Sequence, residues 1–169
     1  ASGVAALLRA AEALRQEETD TEIRFISFTD EENGKNGSRA YTASLTEEEK
    51  GRMIGAIQFD MLGGLGSGSG LVCTMDGEAN WLSDLLQEQD PGLERRAETA
   101  SDHASFQLAG VPAVLLMQQD RGYLYHSSAD TAGQLDLYAI AGAADTATAA
   151  ARQIAGGKTG SYQQLAREQ

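Results

Sequence analysis

A single cysteine, Cys73, stands in the 169 residues. One thiol excludes an internal disulfide and a cysteine-rich metal site, and within the apolar run LVCTM it reads as a buried thiol. Histidine is nearly as scarce: the chain has two, His103 and His126. Basic side chains are few as well, with Lys plus Arg 13 against Asp plus Glu 25 and a formal charge of −12. That is the wrong balance for a nucleic-acid binder, which needs a basic stripe. The basic pair Arg95-Arg96 is flanked by Glu94 and Glu98 and reads as a solvated face. No apolar run approaches the roughly 18 residues of a membrane span, and no leader is visible from which to read a compartment. Several catalytic motifs are missing too. There is no G-x-S-x-G elbow, P-loop, G-x-G-x-x-G or H-E-x-x-H. Ser101-Asp102-His103 holds the residue types of a hydrolase triad, but neighbours in sequence rarely reach triad geometry.

What is present is an alternation of helix-like and strand-like stretches. SGVAALLRAAEALRQEE (2–18) places Val4, Leu7, Leu8, Ala11 and Leu14 at helical spacing, with Ser2 able to cap its start. EIRFISF (22–28) carries apolar groups on both faces and reads as an interior strand. Thr46-x-x-Glu49 is a capping box opening a short helix. IGAIQFDML (54–62), LVCTM (71–75) and VPAVLLM (111–117) read as strands. EANWLSDLLQEQ (78–89), HASFQLAG (103–110) and Leu135 to Ile154 read as helices, with a polar tail after Gly156-Gly157. The order predicts an α/β three-layer sandwich, a mixed but mostly parallel sheet with helices on both faces, in one domain spanning 1–169. The first helix starts at residue 2 with no strand before it, whereas a crossover helix has a strand on each side. The N-terminal strands of the sheet are therefore expected to be missing, leaving an exposed edge able to pair with a second copy.

Open α/β sheets place their sites outside the carboxyl ends of the strands. Asp30-Glu31-Glu32 follow EIRFISF, Asp60 closes IGAIQF, and His126 lies in GYLYHSSADT after VPAVLLM. Three acids in a row are costly unless a positive charge sits among them or one carries a proton. Carboxylates and an imidazole from three strand ends suit zinc among other divalent ions. One acid of the pair would ligate while the other acts as general base. The same acids also fit helix caps or turns. A rival site would recruit both histidines with Glu32 and Asp60.

RFISFTDEENGKNGSRAY resembles the "F-x-x-F-x-x-E-E-x-G-x-x-G-S-x-x-Y" region of the co-catalytic dizinc aminopeptidases. These belong to the zinc exopeptidase family that also contains glutamate carboxypeptidase II, glutaminyl cyclases and the transferrin receptor. IQFDMLG is similar to its second acidic ligand segment, SDHASFQLAGVPAVLL to its "S-D-H-x-x-F-x-x-x-G-I-P" block, and YHSSADT to its "Y-H-T-x-x-D-T". The opening ASGVAALL resembles the helix after its "D-[DN]-A-S-G". The resemblance implies a zinc-dependent aminopeptidase acting on peptides. Glu31 would be the general base and Tyr125 the oxyanion partner. Glu32 and His126 would ligate one zinc and Asp60 the second. Ser101, Asp102 and His103 would lie near the site without ligating, and Asp130 would steady the His126 loop or simply form a turn.

The family takes its other histidine from an upstream "H-x-D" strand, and its bridging carboxylate from just before the "A-S-G". Both are expected to lie before Ala1, making these residues the C-terminal portion of the catalytic domain, with at most one weakly held zinc of their own. A non-catalytic domain of the same fold, as in the transferrin-receptor branch, is the alternative. Glutaminyl cyclase is disfavoured because Tyr125, not Trp, precedes the histidine. The family also points to an extracellular or cell-envelope setting.

Overall fold

The computed structural model describes residues 1–66, 68–118 and 124–168. Seven helices and four paired strands follow in chain order among these residues: α1 (Ser2–Leu14), α2 (Asn36–Ser44), α3 (Glu47–Arg52), β1 (Ala56–Phe59), β2 (Gly70–Thr74), α4 (Trp81–Gln89), β3 (Glu94–Ala97), α5 (His103–Leu108), β4 (Ala113–Gln118), α6 (Leu137–Ala155) and α7 (Thr159–Arg167). The sheet order is β1-β4-β2-β3. β1 runs parallel to β4 and β3 parallel to β2, while β2 and β4 are antiparallel. Two of the three pairings are parallel, so the mixed, mostly parallel α/β architecture is the one expected. None of the described helices is long and apolar enough to cross a membrane.

β4 explains the layering. Its side chains alternate, as strand geometry demands, and both sets are buried. Val114 and Leu116 pack with Val72 of β2, with Trp81, Leu82, Leu85 and Leu86 of α4, and with Ala147 and Ala150 of α6. Leu115 and Met117 face the other way, with Leu71 and Cys73, and Ala113 meets Phe106 and Val111. Cys73 is fully buried, as its apolar neighbours suggested. Full burial of a side chain such as Leu86 or Leu116 contributes about 1.5–3 kcal/mol over leaving it exposed.

Local signals worked where they were strong. Thr46 and Glu49 form the capping box at α3, and Asn80 with Ser83 forms another at α4. Three expectations need correction. Residues 22–28 join no ladder and make no backbone hydrogen bond among the described residues, and Phe25 is 38% exposed. They are not an interior strand here, because no neighbouring strand lies beside them. Ser2 does not cap α1; it is the first helical residue, and its Oγ instead accepts the Leu62 N–H at 3.1 Å. Arg95 and Arg96 lie on the largely exposed β3, an edge strand whose charges blunt open pairing, which agrees with the solvated face read for them. Arg95 reaches Asp84 at 2.6 Å. The polar tail forms α7, which docks Tyr162 against Trp81 with rings 5.2 Å apart.

Candidate functional site

α1 begins over the carboxyl end of β1. A Cβ at Gly3 would collide with the Phe59 carbonyl, so only glycine permits this crossing. Beyond β1 the chain turns sharply. The Asp60 N–H still bonds Leu116 O at 3.2 Å, continuing the β4 ladder, and Met61 then adopts φ 51°. On the other approach, residues 22–28 deliver the acid run. Asp30 takes φ 59°, and the Glu31 carbonyl accepts N–H bonds from Gly34 at 3.0 Å and Lys35 at 2.7 Å. Non-glycine residues in this region are uncommon and cost on the order of 1–3 kcal/mol each. Among the described residues there are four: Asp30, Lys35, Met61 and His126. All four flank one cleft.

That cleft has a volume of about 230 Å³. Glu31, Glu32, Asp60, Ser101 and Tyr125 line it, over a floor that includes Leu115 and Met117 of β4. His126 Nε2 stands 3.1 Å from Glu32 Oε1, both of them largely open to solvent. The Tyr125 and His126 rings meet edge-on at 3.9 Å. Ser101, which is 3% exposed, donates its hydroxyl to Asp60 Oδ2 at 2.7 Å. Glu31 is pushed up to about 7, first by burial and then by the charges of Asp60, Glu32 and Asp102, with Lys35 opposing. Lys35 also donates to Thr99 O at 3.2 Å. Asp30 stands outside this cluster: Asn33 and Asn36 donate their amides to its carboxylate and hold it below the usual range.

The remaining expected residues occupy different stations. His103 is buried beside the site, with Nε2 at 2.8 Å from Glu98 O. Asp102 is 3% exposed, and burial raises its pKa. Asp130 is exposed; its N–H closes a turn onto Ser127 O at 3.2 Å. Lys35, Met61, Glu98 and the β4 floor were not singled out from sequence. The i, i+2 parity of β4 would have pointed to Leu115 and Met117.

Carboxylates facing an imidazole across a solvent-open cleft are donors of the kind a divalent cation takes. Glu32 and His126 form one such pair, and Asp60, steadied by Ser101, offers another. Among the described residues no three His, Cys, Asp or Glu side chains form a single cluster able to hold an ion.

A helix-covered mixed sheet with Asp60 at the carboxyl end of β1 is a frame in which open α/β folds place their sites. Residues 1–151 match Peptidase family M28, and the chain belongs to that family. It is 30% identical over 161 residues to aminopeptidase YwaD of Bacillus subtilis (strain 168), covering 88% of this chain and 35% of that one. Among solved structures it resembles an aminopeptidase from Aneurinibacillus sp. strain AM-1, with a TM-score of 0.87 and 39% identity over 91% of this chain and 38% of the other. It also resembles BSAP, a zinc aminopeptidase from Bacillus subtilis, with a TM-score of 0.86 and 28% identity over 91% of this chain and 41% of that one. The chain thus spans well under half the length of these relatives.

Proposed function

We propose that these residues form part of the catalytic domain of a zinc aminopeptidase that hydrolyses N-terminal residues from peptides. The observation that carries this is the single cleft holding Glu31, Glu32, Asp60 and Tyr125, with His126 paired to Glu32. Glu32 and His126 would hold one zinc and Asp60 a second. Zinc, when bound, supplies a Lewis acid for the carbonyl and a nucleophile at neutral pH.

The chain's own groups do the rest. The Glu31 carboxylate accepts a proton from the attacking water and returns it to the leaving amine. The Tyr125 hydroxyl donates to the carbonyl oxygen as negative charge develops there. Ser101 occupies one oxygen of Asp60 and so fixes how the other is presented. Among the described residues these donors stand in two groups rather than in one cluster.

The test separates the adjacent glutamates in the full-length enzyme. Glu31→Gln should keep zinc but lose about 10² to 10⁴-fold in turnover, the usual cost of losing a general base. Glu32→Gln should lose zinc. Equal zinc loss in both, by elemental analysis, would show that the roles are wrongly assigned.

A further inference from the structure

Lys35 is the one basic side chain on the walls of the cleft among the described residues, set against Glu31, Glu32, Asp60 and Glu98. It is half-buried, and its Nζ donates to the carbonyl of Thr99 at 3.2 Å, 64 positions away in the chain. Burial raises the proton affinity of both Glu31 and Asp102, and the Lys35 charge opposes burial at each. The ammonium therefore stands near both carboxylates.

The two ends of this lysine belong to different walls. Its N–H donates to Glu31 O at 2.7 Å and so closes the turn that carries the acids. Its carbonyl accepts the Arg39 N–H at 2.9 Å, which opens α2. The side chain crosses to the loop 98–101. Glu98 braces that loop by accepting the Thr99 and Ala100 N–H groups, both at 2.9 Å, and its own N–H donates to Thr74 O at 2.9 Å. Two residues beyond Thr99, Ser101 holds Asp60. One residue thus joins the turn that aims Glu31 to the loop that steadies Asp60.

A second tie lies behind it. The hydroxyls of Ser38 in α2 and Ser105 in α5 meet at 2.8 Å in the buried interior. A single tie would fix a distance between the two walls and leave them free to pivot. With Lys35–Thr99 at the cleft and Ser38–Ser105 behind, the angle is fixed too. The residue type follows from the same demand. At φ 59° glycine would be the cheapest choice, but glycine reaches nothing. Lysine accepts the strain and spans the gap with a flexible four-carbon stem ending in three donors.

We propose that Lys35 is a positioning residue of the reaction: its ammonium clamps the 98–101 loop to the acid turn and thereby fixes Glu31 relative to Asp60. The proposal rests on the reading of the cleft as the catalytic site.

The test uses the full-length enzyme and four variants: Lys35→Met, Lys35→Gly, Glu31→Gln, and Lys35→Met combined with Glu31→Gln. Zinc content, kcat, KM and melting temperature are measured for each. Lys35→Met should keep zinc and KM while kcat falls about 10–100-fold, the usual cost of losing a group that orients a reacting side chain. Lys35→Gly removes the same ammonium but relieves the left-handed backbone. With zinc removed it should melt above Lys35→Met, yet lose kcat to the same extent. On top of Glu31→Gln, Lys35→Met should cost little more, because groups that act through one another are not additive. Unchanged kcat in Lys35→Met, with turnover lost in Glu31→Gln, would overturn the role of Lys35 and leave the site reading standing. So would a kcat that tracks melting temperature across the two Lys35 variants, or a loss that adds in full to that of Glu31→Gln. Full turnover in Glu31→Gln would overturn the site reading itself, and the role of Lys35 with it.

Discussion

Ser101→Ala tests whether the donor groups are held as well as gathered. The Ser101 hydroxyl donates to Asp60 Oδ2 at 2.7 Å from a position 3% exposed, so the bond is short, charge-assisted and shielded. A hydrogen bond to a charged group contributes about 1.5–3 kcal/mol net. Removing the partner that orients a ligand typically lowers metal affinity about 10–100-fold, which at 1.4 kcal/mol per tenfold is about 1.4–2.8 kcal/mol. The two estimates overlap, so a loss in that range is expected for the zinc proposed at Asp60. The assay is competition for zinc against a chelator of known affinity, with turnover followed as zinc is added back. Affinity should fall and saturating zinc should restore most activity. Unchanged zinc affinity, or lost activity that added zinc does not restore, would refute the orienting role. A matching drop in melting temperature would point instead to a purely structural serine.

The 169 residues alone should bind at most one loosely held zinc and should not hydrolyse aminoacyl p-nitroanilides, since three donors in two groups fall short of a co-catalytic set. Robust chelator-sensitive turnover would show that some dismissed residue completes the site. His103 should make the fold acid-sensitive. Burial lowers its pKa from the ordinary 6.5, so between the two values the unfolded chain binds more protons than the folded one. Its stabilising contribution is full above about pH 6.5 and is lost as pH falls toward the folded value, at up to about 1.4 kcal/mol per pH unit. Glu31, raised to about 7, contributes the opposite slope over the same range, so the His103 share is read from denaturant melts between pH 8 and 5 as the difference between the unsubstituted protein and His103→Gln. Parallel profiles for the two proteins would exclude His103 as the source.

Much of this was legible in the residues because the strongest patterns were two-sided. VPAVLLM reads as a covered strand and is one, since β4 packs on α4 and α6 through one face and on α5 through the other. EIRFISF has the same pattern without the same outcome, because a strand also needs a neighbour to pair with. β3 escaped notice because ERRA is short and charged, as edge strands tend to be. α7 escaped because its apolar residues, Tyr162, Leu165 and Ala166, are few among polar ones. The cleft repeats the lesson. Glu31, Glu32, Asp60 and Tyr125 were readable as motif positions. The Ser101 bond to Asp60 was not, for it spans 41 residues and depends on how α5 docks. Nor was Lys35, whose place depends on a loop conformation that composition does not dictate.

That loop also separates the crowded carboxylates of Asp30, Glu31 and Glu32. The left-handed turn at Asp30 sends three adjacent carboxylates to three environments. Asp30 is satisfied by two amides and stays charged. Glu32 points into solvent, toward the His126 imidazole. Glu31 alone faces the interior of the cleft, where burial favours the proton. Like charges can stand next to each other in sequence when the backbone keeps their surroundings unlike, and the means here is strain. Four non-glycine residues at positive φ represent on the order of 4–12 kcal/mol if each costs 1–3 kcal/mol, a sum comparable with the whole net stability of an ordinary domain, about 5–15 kcal/mol. Asp30 moderates this, since Asp tolerates the left-handed region better than most. Lys35, Met61 and His126 do not share that advantage in full. A fold selected for stability alone would place glycine at such points. Retaining a lysine, a methionine and a histidine there, all around one cleft and nowhere else among the described residues, makes sense when the side chains themselves are needed where the turns put them.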